Sequence, residues 1–345
     1  MKIMKIKKKI ITNKNPFIVA EISGNHNGSF SLLKKTIIEA KKCNVDAIKL
    51  QSYSPEDLTL NVKKKNFLIK KVKNKWRNKY LYEIYNKGQT SFEWHKKIFR
   101  FCKEIGIICF SSPFSEEMVD KLEMINCPAY KVASLEITNL ELLKKISKTK
   151  KPVIISTGAS TLKEISDAVN IFKNNKNLAI LKCTVDYPCK NSDTNLNSLI
   201  TLKNKFNKLK IGFSDHTLGT IAATTAIALG ASIIEKHFIY DKKIDSVDNF
   251  FSMDRFEMKK FVEQCKEVPK VFGSFTVKPT KNEINSLKYR RSIFVSKLIK
   301  KGESFNGQNI KAVRPATGTP IKFYKKIIGK KAKKNYEPGD KINIK

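Results

Sequence analysis

Two of the four histidines stand at the ends of strand-like apolar runs, where they could act together. His216 lies in GFSDHT (212–217) and His237 in IIEKHF (233–238), so 21 positions separate them. Each follows a charged residue by one or two places. Such a pair predicts either two buried structural imidazoles or two ligands of one metal ion, and the surrounding elements must decide between these interpretations.

Two lysines also lie inside apolar runs, Lys49 in DAIKLQ and Lys131 in AYKVAS. A lysine in such a run is costly unless its ammonium group meets an anion. Lysines together with serine and threonine hydroxyls are typical of phosphate sites. Other polar residues end similar runs: Glu21, Gln51, Ser111, Ser112, Ser134, Glu136, Ser156, Thr157, Thr184, Asp186, Tyr187, Ser214, Asp215, Glu235 and Lys236.

The elements that carry these residues alternate between strand and helix patterns, which indicates parallel βα units. Helical periodicity is clear at 31–43, 115–125 and 161–172. Eight such units in this length favour an α/β fold, a (β/α)8 TIM barrel. The eight predicted strands are 17–23, 46–51, 107–112, 129–134, 152–158, 178–184, 210–215 and 232–238.

In a TIM barrel the active site lies at the carboxyl ends of the strands. The runs that end in His216 and His237 would be neighbouring strands, so both imidazoles could reach one divalent cation of the manganese, iron or zinc type. No clear third protein ligand accompanies them, so substrate oxygens and water would complete the shell. We therefore favour the metal interpretation. We interpret His95, in a helical segment, as structural; His26 lies in the loop after the first strand.

The composition favours a cytoplasmic protein with neither a membrane nor a specific nucleic acid as partner. The formal charge is +37, but only six of the 68 basic residues are arginine and the lysines are spread along the chain. We interpret this charge as codon bias. There is no apolar run of membrane-spanning length and no signal-peptide pattern at the N-terminus. The seven cysteines lack C-x-x-C spacing, which is typical of reduced thiols.

Several segments, in order, resemble the sialic acid synthases, most closely their pseudaminic acid synthase branch. They are AEISGNHNGS, AIKLQSYSPEDLTL, CFSSPF, AYKVASLE, STGAS, KCTVDYP, GFSDHT and IEKHF. The turn-rich C-terminal segment is similar to a SAF, or antifreeze-like, domain. We predict a barrel domain at 1–272, a linker at 273–287 and a small β-rich SAF domain at 288–345. The resemblance implies a homodimer in which each small domain caps the partner's barrel.

The resemblance implies a transferase that joins phosphoenolpyruvate to the open-chain aldehyde of an acetamido sugar, for a flagellin or other surface glycan. A divalent ion, Mn2+ first and Mg2+ or Co2+ as alternatives, would bind His216 and His237. Glu136 would orient or deprotonate the attacking water, and Glu21 would be a second catalytic carboxylate, at the sugar hydroxyls. The residues expected to bind the two substrates are Lys49, Gln51, Ser112, Lys131, Ser134, Ser156, Tyr187, Ser214, Asp248 and Arg314.

One departure from the family bears on the identity of the sugar. Synthases that act on N-acetylmannosamine commonly carry Asn where this chain has Val185, which favours 2,4-diacetamido-2,4,6-trideoxy-L-altrose. The alternatives are N-acetylneuraminate or legionaminate synthesis, another phosphoenolpyruvate-dependent barrel, and an inactive basic binding protein. The SAF-like segment opposes another phosphoenolpyruvate-dependent barrel, and the intact set of polar strand ends opposes an inactive binding protein.

Overall fold

The computed structural model describes residues 4–343, and the chain divides after Phe272 into two compact units. The first begins with an antiparallel hairpin, β1 (Met4–Ile6) and β2 (Lys9–Ile11). Its Met4, Ile6 and Ile11 side chains are buried in the core of this unit, and Lys9 pairs with Asp46 just before a barrel strand. The sequence analysis did not predict this hairpin.

Eight parallel strands close into a barrel, in the order β10-β3-β4-β5-β6-β7-β8-β9. The prediction of a TIM barrel is therefore confirmed. The observed bounds differ from the predicted ones by at most two residues at each end. The strands are β3 (Phe17–Glu21), β4 (Ala47–Ser52), β5 (Ile108–Pro113), β6 (Tyr130–Val132), β7 (Val153–Ser156), β8 (Leu178–Cys183), β9 (Lys210–Asp215) and β10 (Ile233–His237).

Helices cover the outside of the barrel with their apolar faces. Hydroxyl side chains cap several of them by accepting a backbone N–H, as Thr161 does from Glu164. The helices of this unit are α1 (Phe30–Lys42), α2 (Pro55–Leu58), α3 (Leu81–Gly88), α4 (Phe92–Ile105), α5 (Glu116–Met124), α6 (Leu140–Lys148), α7 (Leu162–Ile171), α8 (Asn197–Lys205), α9 (Ile221–Ala228) and α10 (Arg255–Val271). Single 3-10 turns occur at Lys65–Phe67, Ser134–Glu136 and Asn191–Asp193.

Alternation along each strand decides which polar side chains meet inside the barrel. On β4, Lys49 contacts carboxylates of β3 and β10, whereas Ser52 contacts His95 of helix α4 on the outside. Asp215 and Lys236 were expected at the mouth with the other strand ends. They instead pair with each other at 2.9 Å, with the Lys236 ammonium near the Phe261 ring of α10. These two residues hold the barrel to its helix layer.

The second unit is small and rich in turns. Strands β11 (Ser292–Val295) and β12 (Ile310–Val313) pair antiparallel, and a short helix, α11 (Tyr324–Ile327), follows. Two 3-10 segments accompany them, at Glu283–Tyr289 and Ile321–Phe323. A separate apolar core stabilises the unit; its buried members are Ile293, Val295, Ile299, Phe305, Ile310, Ile327, Ala332, Tyr336 and Ile342.

Among residues 4–343, no helix is both long and apolar enough to cross a membrane.

Candidate active site

Two lysines and two carboxylates form a buried cluster inside the barrel, which we call the lysine cluster: Glu21, Lys49, Lys131 and Glu235. The Lys49 Nζ lies 2.7 Å from Glu21 Oε2 and 2.9 Å from Glu235 Oε1. The Lys131 Nζ lies 3.9 Å from the same Glu235 oxygen. The structure thus brings together two lysines that are 82 positions apart in the sequence.

Serine hydroxyls surround this cluster. Lys131 Nζ donates to Ser156 Oγ at 2.6 Å, and Ser214 Oγ donates to Glu235 Oε1 at 3.1 Å. Ser112 Oγ donates to the Lys131 carbonyl at 2.9 Å. These three predicted substrate-binding serines and the two lysines therefore share one site, with the charge and the donors that a phosphate group requires.

The sequence analysis placed Glu235 at a strand end but did not predict it as a site residue. Burial alone would raise the pKa of Glu235, but Lys131 and Lys49 outweigh burial and lower that pKa to about 2. Glu235 is therefore ionised at neutral pH and is the shared counter-ion of both lysines. Its position inside a buried strand was the available signal, because a buried carboxylate requires a cationic partner.

The two histidines meet beside this cluster, with 5.4 Å between their ring centroids. His216 Nδ1 lies 2.8 Å from the Thr184 carbonyl oxygen, which can only accept, so this nitrogen carries a proton and Nε2 is the ring nitrogen left for a metal ion. His237 Nδ1 is buried and, within the described chain, has no hydrogen-bond partner. Burial lowers the pKa of His237 well below its ordinary value, and His216 lowers it further.

This arrangement fits a divalent metal ion. Neutral imidazoles with a free ring nitrogen are ordinary metal ligands, and the backbone bond of His216 is typical of the outer shell of such sites. In residues 4–343 no group of three or more His, Cys, Asp or Glu side chains could hold an ion. The pair therefore fits an ion whose remaining ligands are substrate oxygens and water.

Aromatic side chains form a wall over the two histidines. The Tyr187 ring lies 4.3 Å from the His216 ring, and the Phe251 ring lies 4.7 Å from the His237 ring. Trp76 packs on Tyr187 at 5.4 Å and donates its indole N–H to the Val247 carbonyl at 2.8 Å. Tyr187 was predicted as a sugar-binding residue; Trp76 and Phe251 were not predicted, because they come from irregular loops.

Asp248 lies beside the histidine pair, with its Oδ2 3.8 Å from His237 Nδ1. Ser23 Oγ donates to the same carboxylate oxygen. Burial raises the pKa of Asp248 to about 6, and the bond from Ser23 opposes this rise. The loop after β3 therefore contacts a predicted sugar-binding residue that lies 225 positions later in the chain.

Of the four other predicted residues, three lie at the mouth of the barrel and the fourth lies in the second unit. Ser134 and Glu136 belong to the 3-10 turn after β6, where Ser134 Oγ accepts the Gly158 N–H at 3.1 Å. Burial raises the pKa of Glu136 and a bond from Asn139 opposes it. Gln51 is half-buried at the end of β4, while Arg314 is exposed in the second unit.

The remaining histidines lie outside the barrel interior. His95 Nε2 bonds to Ser52 Oγ at 2.7 Å and its Nδ1 bonds to the Ser91 carbonyl at 2.9 Å, in agreement with the structural interpretation. His26 Nε2 bonds to Thr90 Oγ1 at 2.9 Å. Neither histidine extends the metal pair.

Comparisons with known proteins identify the family. The model of the NeuB family matches residues 36–277, and that of the SAF domain matches residues 290–342. The chain belongs to the NeuB family. The resemblance to the sialic acid synthases is thereby confirmed, together with the order of barrel and SAF domain.

The matching relatives of this NeuB-family protein include synthases of several nonulosonic acids. A pseudaminic acid synthase of Campylobacter jejuni subsp. jejuni (strain 81-176) is 43% identical over 333 residues, 96% of each chain. The pseudaminic acid synthase of Helicobacter pylori is 41% identical over 92% of this chain and 94% of its own. An N,N'-diacetyllegionaminic acid synthase of Campylobacter jejuni is 36% identical over 95% of this chain and 99% of its own.

A solved structure agrees with the fold. The N-acetylneuraminic acid synthetase from Leptospira borgpetersenii, in complex with citrate, superposes with a TM-score of 0.74 at 29% identity. The match covers 84% of this chain and 96% of that one. The homologues are synthases, and this NeuB-family chain is accordingly an enzyme of the transferase class.

Proposed function

We propose that this protein is a pseudaminic acid synthase, which condenses phosphoenolpyruvate with the open-chain aldehyde of 2,4-diacetamido-2,4,6-trideoxy-L-altrose. The products are pseudaminic acid and phosphate. The observation that carries the proposal is the lysine cluster beside a histidine pair in the barrel of a NeuB-family chain. The identities of 41–43% to pseudaminic acid synthases support the choice of sugar.

In this reaction the lysine cluster holds phosphoenolpyruvate. Lys49 and Lys131 bind its phosphate and carboxylate, with Ser112, Ser134, Ser156 and Ser214 as hydroxyl donors. Glu235 keeps the two ammonium groups on the same side of the site. Such fixed geometry lowers the entropic cost of bringing two substrates into contact.

Glu21 takes a different role from the one expected for it. Its Oε1 accepts the Ser23 N–H at 2.8 Å and its Oε2 pairs with Lys49, so both oxygens are engaged within the chain. We therefore assign Glu21 to fixing Lys49, not to a sugar hydroxyl. Gln51 and Tyr187 remain at the mouth, where the sugar enters.

The bond changes follow from the two substrates. Carbon 3 of phosphoenolpyruvate uses its enol π electrons to bond to the aldehyde carbon, and the carbonyl π pair moves to the aldehyde oxygen, which takes up a proton and becomes a hydroxyl. This step leaves positive charge at carbon 2. Water adds at carbon 2, and the tetrahedral intermediate then breaks its carbon–oxygen bond to release phosphate. Glu136 orients that water and takes its proton, a task suited to a carboxylate whose pKa burial raises. A divalent ion on His216 and His237 would supply Lewis-acid polarisation of the aldehyde oxygen.

The second unit completes the site in a homodimer under this proposal. Arg314 of one protomer contacts the sugar in the partner's barrel, and its planar guanidinium fork suits an acetamido carbonyl. Mixed dimers test this directly. An Arg314→Ala chain combined with a Lys131→Met chain should regain activity that neither homodimer has. Failure to regain activity in confirmed mixed dimers would refute the exchange between protomers.

The cytoplasmic location of the protein stays a prediction.

The decisive assay is phosphate release from phosphoenolpyruvate by chelator-treated protein, with and without Mn2+. The altrose sugar, its legionaminic counterpart and N-acetylmannosamine are offered separately. We expect Mn2+-dependent release with the altrose sugar alone. Release with another sugar would reassign the product, and release with none would refute the synthase.

Lys131→Met and Lys182→Met form a matched pair for this assay. Lys182 lies on β8, which β7 separates from the β6 strand of Lys131, and its ammonium donates to the Cys183 carbonyl at 2.7 Å. We expect Lys131→Met to lose at least ~100-fold in kcat/KM for phosphoenolpyruvate, since a charge-assisted contact contributes a few kcal/mol. Lys182→Met should keep wild-type kinetics. Equal activity of the two variants would contradict the assigned phosphate site.

A further inference from the structure

His237 and His216 differ in the hydrogen bonding of their Nδ1 atoms. His216 Nδ1 donates to a backbone carbonyl, whereas His237 Nδ1 is buried and has no hydrogen-bond partner in residues 4–343. When Nε2 of an imidazole binds a metal ion, its Nδ1 must carry the proton. A buried N–H without an acceptor is destabilising, so the Nδ1 proton of a metal-bound His237 needs an acceptor.

The Asp248 carboxylate is placed to be that acceptor. Its Oδ2 lies 3.8 Å from His237 Nδ1, less than 1 Å beyond a normal N–H···O distance. Both side chains are at least nine-tenths buried, so water is a poor competitor for either group. The Phe251 ring packs against the imidazole at 4.7 Å. A sub-ångström movement therefore closes the bond.

The carboxylate itself is held by the loop after β3. Ser23 Oγ donates to Asp248 Oδ2. The neighbouring Asn25 ties the two loops together, because its side-chain amide donates to Ser252 Oγ at 2.8 Å and accepts from Ser246 Oγ at 2.5 Å. The chain Ser23–Asp248–His237 thus starts from a rigid, buried loop.

We propose that Asp248 is a positioning residue for the metal: it accepts the Nδ1 proton of His237, and Ser23 holds its carboxylate in place. This inference rests on the proposed function, since it assumes a divalent ion on the histidine pair. It gives Asp248 a role that does not require sugar contact. Loss of an outer-shell partner of this kind typically weakens metal binding 10–100-fold.

The test measures the Kd of Mn2+ alone for chelator-treated full-length protein, by the electron paramagnetic resonance signal of free Mn2+. We expect Asp248→Asn to weaken binding at least tenfold, and Ser23→Ala to weaken it by a smaller factor. Lys182→Met is the control, because the Lys182 ammonium donates to the Cys183 carbonyl and belongs to neither the lysine cluster nor the histidine pair, so this variant should keep the wild-type Kd.

His237→Gln separates the two possible failures. If the wild type binds no Mn2+, or His237→Gln binds it as the wild type does, the metal site of the proposed function is wrong. If His237→Gln loses Mn2+ while Asp248→Asn and Ser23→Ala keep the wild-type Kd, the positioning role alone is overturned. Circular dichroism melting checks that each variant is folded, and Ser23→Ala keeps the test decisive if Asp248→Asn does not fold.

Kinetics give a second readout. A positioning role predicts that excess Mn2+ restores the kcat of Asp248→Asn, with little change in the KM of the sugar. A raised sugar KM that excess Mn2+ does not lower would assign Asp248 to sugar contact alone and overturn the proposal.

Discussion

His26 should make the stability of the barrel unit depend on pH. Its side chain is fully buried; Nε2 donates to Thr90 Oγ1 at 2.9 Å, and Nδ1 accepts the Gly28 N–H at 3.2 Å. The ring also meets the Trp94 edge, with 5.5 Å between centroids. Every polar contact therefore suits the neutral imidazole, and a second ring proton would have no acceptor.

The size of the effect follows from the pKa. Burial lowers the pKa of His26 from 6.5 to about 4, and His95 adds to this effect. The unfolded chain binds the proton first as the pH falls, so stability is lost between pH 6.5 and 4. At about 1.4 kcal/mol per pH unit, this gap corresponds to about 3 kcal/mol at pH 4 and about 2 kcal/mol at pH 5.

The measurement compares wild type and His26→Gln by urea unfolding at pH 7.5 and pH 5. Both tryptophans, Trp76 and Trp94, belong to the first unit, so their fluorescence reports that unit. Glutamine does not titrate. The wild type should therefore lose about 2 kcal/mol more than the variant between the two pH values. An equal loss in both proteins would show that His26 is not held neutral by the fold.

Two glycine substitutions test close packing at the barrel. An alanine Cβ at position 158 would lie 2.5 Å from Val185 Cγ2 and 2.9 Å from Ser134 Oγ. Gly158→Ala should therefore displace Ser134 and raise the KM for phosphoenolpyruvate severalfold. The melting temperature should change little. An unchanged KM would remove Ser134 from that site. At position 212 the Cβ would lie 2.4 Å from the Ile233 carbonyl oxygen, so Gly212→Ala should destabilise the barrel by about 1–3 kcal/mol in urea unfolding. Wild-type stability of that variant would contradict the tight contact between β9 and β10.

The eight strands could be predicted because their apolar runs are short, regular and separated by helical periodicity. The rule that active sites lie at the carboxyl ends of barrel strands then placed Lys49, Lys131 and His237 together. Sequence could not decide the side of the sheet for every polar residue. Asp215 and Lys236 form an ion pair outside the barrel. The sequence pattern of a single chain does not distinguish this position from one at the mouth of the barrel.

Other features depend on contacts that no local pattern encodes. The β1–β2 hairpin is too short and too rich in lysine to stand out, and it is stabilised by burial of Met4 and Ile6 in the core of the first unit. Trp76 lies in an irregular segment, so periodicity gave it no position. The contact between Ser23 and Asp248 joins residues 225 positions apart and could appear only in three dimensions.

The carboxylates of the lysine cluster explain how the barrel tolerates two buried ammonium groups. An unpaired charge there would cost several kcal/mol, so Lys49 and Lys131 need counter-ions before any substrate arrives. Glu21 and Glu235 supply two negative charges at 2.7–3.9 Å. In the proposed function, phosphoenolpyruvate would bring more charge than either carboxylate and would replace the weaker contact, that of Lys131 with Glu235 at 3.9 Å. The same carboxylates that stabilise the two buried lysines would thereby leave Lys131 as the ammonium group most available to the phosphate in the proposed reaction.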